Sequence, residues 1–242
     1  MQIISKEIED YSVLLRNIPG LVLAMFILSV VLMNLLANKE LISYEYLALD
    51  CGYLLSWCSF LCMDVLCKHF GGRAAVKVAI LALFINLLVT GIFYLVSLTP
   101  GHWAEFYATE SELVNTALNN TFGGTWYVVL GSSLAMLSSA IVNAAINMKI
   151  GAKLVGENFK NFAIRSYIST FIGQFVDNLV FTVTVSYVFF GWTPVQIVIC
   201  AITGAVVELV FEILFSGIGY NVILAWQKHN IGAEYLRYQK ER

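Results

Sequence analysis

The chain has 242 residues, 59% of them hydrophobic and 12% charged, with a net charge of -2 and a mean hydropathy of +0.78. Soluble domains carry about 25% charged residues, so this composition excludes an ordinary water-soluble fold and makes lipid the solvent for much of the surface. No basic block or aromatic-basic interleaving suggests a nucleic-acid partner.

Residues 1–18 mix Lys6, Glu7, Glu9, Asp10 and Arg16 with apolar positions. They read as a short amphipathic lead-in rather than a cleavable signal, because acidic residues stand where a basic segment should be. Six apolar runs follow, at about 19–37, 46–67, 75–98, 126–148, 167–190 and 195–226, each near the length that crosses a bilayer as a helix. Residues 227–242 form a polar tail. The expected architecture is an all-α integral membrane protein forming one domain over 1–242, with six transmembrane helices.

The basic residues orient these spans. Lys6 and Arg16, then Lys68, Arg73 and Lys77, then Lys149, Lys153, Lys160 and Arg165, then Lys228, Arg237, Lys240 and Arg242 all fall on one side, and Lys39 alone on the other. Thirteen of the 14 cations would thus face the cytoplasm, with both termini. The connection 99–125 is then external, with Glu105, Glu110 and Glu112, and reads as a solvated loop, a lid being the alternative. Three spans per half would make the halves inverted repeats, with Asp64 and Asp177 in corresponding helices.

Polar groups inside the spans are where function is sought, since a charge at mid-membrane depth costs roughly 2.5 kcal/mol or more. The first span ends with Asn34 and Asn38. The second carries Asp64 near its cytoplasmic end, close to Lys68 and Arg73, where an ion pair is one reading and a coupling role another. Asn86 is central in the third, and the fourth holds Asn143 and Asn147. In the fifth, Asp177 is the single charge between 167 and 190, and Ser169, Thr170, Gly173 and Gln174 share its face. Asn178 follows it. The sixth holds Glu208 and Glu212, one turn apart. Two carboxylates so placed in low dielectric require a proton, a cation or a donor-rich ligand between them. Tyr53, Trp57, Phe171, Phe175 and Phe181 could supply stacking faces.

The cysteines, Cys51, Cys58, Cys62, Cys67 and Cys200, show no metal-ligand spacing and read as buried small hydrophobes. There is no GxxxxGK[ST], HExxH or GxSxG, and His69, His102 and His229 all lie outside the spans. An enzyme, a resident metal and a cofactor are therefore not expected.

Ala37-Asn38-Lys39 closes the first span. Asp64 precedes Phe70-Gly71-Gly72-Arg73-Ala74-Ala75, and Arg165-Ser166 leads into Ser169, Gln174, Asp177 and Phe181. This pattern resembles the queuosine precursor transporter family, also called the vitamin uptake transporter family. Its members show D-x-x-x-E-x-Y-G in the second segment, where this chain has Lys68 and Phe70 in place of the Glu and the Tyr. The resemblance implies import across the inner (plasma) membrane of a 7-deazaguanine: the cyano or aminomethyl precursor, or queuine. The candidate substrate residues are Asp177, Gln174, Glu208, Asn178, Asn38, Asn86 and Asn143. The coupling candidates are Glu208, Glu212 and Asp64. The alternatives are a substrate-binding subunit energised by a separate ATPase, or a membrane scaffold whose polar seams only pack helices. The sequence is compatible with a homo-oligomer.

Overall fold

The computed structural model describes residues 2–44, 46–124, 126–154 and 158–241. The lead-in is a helix, α1 (Gln2–Asn17), followed by α2 (Gly20–Leu36). The two meet at 107°, because Pro19 caps α2 and disfavours helical geometry in the residue before it. The buried face of α1 holds Val13 and Leu14. Lys77 ties its polar side down, donating to Glu7 at 2.7 Å and to Asp10 at 2.6 Å.

Residues 46–52, expected as the start of the second span, are not helical. A two-stranded antiparallel hairpin pairs β1 (Glu40–Tyr44) with β2 (Leu47–Asp50). In β2, Leu47 and Leu49 alternate with Ala48 and Asp50, and β1 supplies Ile42 and Tyr44, residue types enriched in strands. Asp50 then turns the chain by accepting from the Gly52 amide at 2.7 Å. The helix proper, α3, spans Tyr53–Phe70.

The other helices are α4 (Gly72–Ser97), α5 (Ala104–Thr109), α6 (Glu112–Phe122), α7 (Trp126–Gly151), α8 (Phe159–Phe181), α9 (Val188–Phe190), α10 (Pro194–Lys228) and α11 (Ala233–Glu241). Four helical stretches are long and apolar enough to cross a membrane, or five if the bent pair α1 and α2 counts as one. Of the six expected spans, four or five meet the length and hydropathy of a membrane helix among the described residues. Short α2 has 17 residues, and α3 places Asp64, Lys68 and His69 within 18. The all-α membrane class holds, with the hairpin as an addition.

Helix α8 packs between α7 and α10, and α4 packs on α7. Buried Ala74, Ala75, Ala79 and Ala82 of α4 meet Ala140 and Ala144 of α7 in one cluster. Small side chains let two helix backbones approach where lipid gives no hydrophobic drive to associate. Within the connection between α4 and α7, Trp103 donates to Asn119 at 2.7 Å, and Phe122 stacks on Phe93 of α4. At its other end the molecule is closed by α11. Asn17 donates to Glu234 at 3.0 Å, and fully buried Tyr235 packs on Phe70.

Past Phe181 the chain widens into a π-helical stretch, Thr182–Tyr187. Thr182 and Thr184 donate back to the carbonyls of Asn178 and Val180, at 2.7 and 2.8 Å. Such back-bonding competes with regular helix geometry, and π-bulges favour functional segments. The stretch lies directly after Asp177 and Asn178.

The basic-residue asymmetry makes a direct prediction. In a chain with its own cysteines replaced, a cysteine at exposed position 110 is expected to react with an impermeant maleimide on intact cells, and one at exposed position 160 only after permeabilisation. Residues 155–157 of the latter connection lie outside the described residues.

Candidate functional site

A cavity of about 380 Å³ lies between α2, the hairpin, α3, α7, α8 and α10. Asn34 and Asn38 line it from the first span, Glu40 and Asp50 from the hairpin, and Tyr53 and Ser56 from α3. Helix α8 contributes Asp177, Asn178 and Phe181, and α10 contributes Cys200 and Glu208. Phe190 and Trp192, from the α8–α10 connection, also line it.

The carboxylate of Asp177 accepts from Ser139 of α7 at 3.1 Å. Next to it, Asn178 accepts from the Tyr53 hydroxyl at 3.0 Å. That bond fixes the amide; among the described residues Asn178 Nδ2 and Glu208 Oε2 make no hydrogen bond of full geometry, while Glu208, 3% exposed, lies beside Asn178 and Ser56. Buried polar groups are almost always satisfied. A donor and an acceptor beside a carboxylate and two aromatic rings are groups of the kind that orient small polar molecules in concave sites.

Gly204 makes room for this arrangement. A Cβ there would fall 2.4 Å from the Tyr53 hydroxyl and 2.7 Å from Asn178 Nδ2. Gly204→Ala should push both side chains aside. Overpacking of this kind costs about 1–3 kcal/mol, so ligand affinity is expected to fall roughly tenfold with the fold retained, as read by ligand binding and size-exclusion chromatography.

Not every candidate reaches the cavity. Gln174, Asn86 and Asn143 are each 2% exposed or less and lie outside its lining. Asn143 abuts Gly173 across the α7–α8 interface, as helix-packing amides do. Asn34 and Asn38 reach the rim, but their amide nitrogens donate back to Val30 and Leu35 of their own helix, at 2.7 and 3.2 Å. Of the aromatics, Tyr53 and Phe181 line the cavity, whereas Trp57 is stacked on Phe215 at 4.0 Å.

Glu208 and Glu212 do not share a cavity. One turn along α10, Glu212 is fully buried, with Ser166 Oγ 2.6 Å away. The same hydroxyl bonds Asp64. Asp64 also receives Asn147 at 3.0 Å, Thr170 at 3.2 Å and Ser169 at 3.4 Å. Arg165 closes the cluster by donating to Asn147. Asp64 thus bonds across to α7 and α8.

Sequence reasoning missed Glu40 and Asp50, because a hairpin hid inside an apparent span. It also missed Ser132 and Ser139, although these align with Asn143 and Asn147 at helical spacing along one face of α7. That stripe was the available signal.

Comparison with curated proteins and with solved structures returns no match. The family model described as "Putative vitamin uptake transporter" matches residues 50–222, a span that contains Asp64, Asp177, Asn178, Glu208 and Glu212. A multi-pass membrane chain with a polar cavity between its helices, matched over most of its length, belongs to the vitamin uptake transporter family.

Proposed function

We propose that this chain imports a queuosine precursor, a 7-deazaguanine such as the cyano or aminomethyl base or queuine, across the inner (plasma) membrane. In this reading α2 and α3 join the four longer helices as six spans, with both termini cytoplasmic. The carrying observation is the cavity itself, where Asp177, Asn178 and Glu208 converge beside Tyr53 and Phe181.

A deazaguanine presents a ring N–H and an exocyclic amine side by side. One carboxylate accepts both as a charge-assisted pair, strengthened where water is excluded. Asp177 is suited to that role. Asn178 Nδ2 supplies a donor for the carbonyl of the base, and Glu208 beside it an acceptor for a further N–H. Tyr53 and Phe181 offer faces to the ring. The volume falls within the ~300–1,000 Å³ of small-molecule sites.

Purified protein reconstituted alone in liposomes tests this. Saturable uptake of labelled queuine or a smaller precursor, competed by unlabelled deazaguanines and not by adenine, is expected. Uptake that appears only with an added ATPase module would replace the reading by the substrate-binding subunit.

A further inference from the structure

The cluster around Ser166 belongs to neither the cavity nor the apolar core, and a count of its hydrogens shows what it holds. A serine hydroxyl has one hydrogen to donate. Ser166 Oγ lies within hydrogen-bond distance of two carboxyl oxygens, Asp64 Oδ2 and Glu212 Oε1. If the hydroxyl donates to Asp64, the Glu212 oxygen 2.6 Å away faces only lone pairs unless it carries a hydrogen itself. If it donates to Glu212, the same holds for Asp64. The three groups therefore close only with one bound proton.

The surroundings say where that proton sits. Asp64 receives Asn147 and Thr170 besides Ser166, with Ser169 Oγ at 3.4 Å and its hydrogen shared with the Ser166 carbonyl at 3.0 Å, and Arg165 stands behind Asn147. Donors gathered in this way stabilise the ionised form. Glu212 has no such support: its second oxygen, Oε2, has no partner among the described residues, and the side chain is 0% exposed. The titratable groups that act on Glu212 or feel it are Asp64 and Cys62 on α3, with Glu208 one turn away in sequence on α10; Arg165 is the charged group contributed by α8, reached through Asn147. A proton on Glu212 leaves one formal negative charge on Asp64, opposite the Arg165 cation.

We propose that Glu212, Ser166 and Asp64 form a proton-binding site, separate from the substrate cavity, through which import is coupled to a proton gradient. The coupling rests on the importer reading; the proton site does not. Glu212 takes a proton from water when the cluster opens outward. When it opens inward, the Glu212 O–H bond breaks and the proton passes to cytoplasmic water, Ser166 bridging to Asp64 in between. Glu208, on the same helix as Glu212, links the filled cavity to the proton site.

Infrared difference spectroscopy on the purified, substrate-free chain reads the proton directly. At neutral pH the wild type should show the carbonyl stretch of a protonated carboxylic acid, shifted in D₂O. Glu212→Gln, which copies the protonated group, should lose one component of that band while Glu208→Gln retains it. Ser166→Ala should shift it as the acid loses its acceptor. In liposomes, Glu212→Gln should keep substrate exchange at equal pH within about twofold of wild type and lose all acceleration by an inward proton gradient. A band unchanged in both Glu212→Gln and Ser166→Ala overturns the proton site, and acceleration by a sodium gradient at fixed pH in place of a proton gradient overturns the proton coupling. The band without uptake of any deazaguanine by wild type would leave the proton site standing and remove the substrate reading.

Discussion

Asp177→Asn is expected to reduce deazaguanine import tenfold to a hundredfold at sub-saturating substrate, without loss of folded protein. The amide has nearly the same shape as the carboxylate but exchanges one acceptor oxygen for a donor. It would point N–H groups at a ligand edge that itself carries N–H groups, and the charge-assisted pair would vanish. A hydrogen bond to a charged group contributes about 1.5–3 kcal/mol, which corresponds to that range of affinity. Ser139, which donates to Asp177 at 3.1 Å, can still donate to the amide oxygen, so the α7–α8 interface should persist. Initial uptake rates, normalised to reconstituted protein, measure the effect. An unchanged rate would make Asp177 a packing residue.

The second large effect concerns stability. Asp64→Ala should destabilise the protein by about 3 kcal/mol or more, because it strands the buried donor of Thr170, takes one of two acceptors from each of Asn147 and Ser166, and removes the negative charge that faces Arg165. Each buried donor left unsatisfied costs about 1–3 kcal/mol, and the enclosed cluster has little water to repair the loss. Asp64→Asn keeps an acceptor oxygen and should cost less. Thermal unfolding in detergent ranks the two variants against wild type. Equal midpoints for wild type and Asp64→Ala would mean that the cluster opens to solvent.

The parts of the site that were legible in the sequence share one property: they break an apolar background. Asp177 is conspicuous as the one charge in its run, and Glu208 and Asn178 stand out similarly. Glu40 and Asp50 were not legible, because a carboxylate beside an aqueous connection is unremarkable, and the hairpin carrying them merged with the apolar residues of α3. The partition of Glu208 from Glu212 was hidden for another reason. Periodicity gives the angle of a residue around its helix, and both glutamates share it. Which one meets the cavity and which meets Ser166 is set by the depth at which α3 and α8 cross α10. The pairing of Asp64 with Ser166, 102 residues away, is likewise a property of packing. Helical class came through because length and hydropathy decide it locally. Helix α3 does not reach the hydropathy of the longer helices, because it trades apolar length for Asp64, Lys68 and His69.

The central claim is that the cavity beside Asp177 binds a deazaguanine. Equilibrium binding of queuine and its two smaller precursors to purified wild type and Asp177→Asn, in detergent at one fixed pH, tests it most directly. Saturable binding of at least one of them to wild type, weakened at least tenfold in Asp177→Asn and competed by the others, is the predicted result. No binding of any of the three to folded wild type, or equal binding to both proteins, would contradict it.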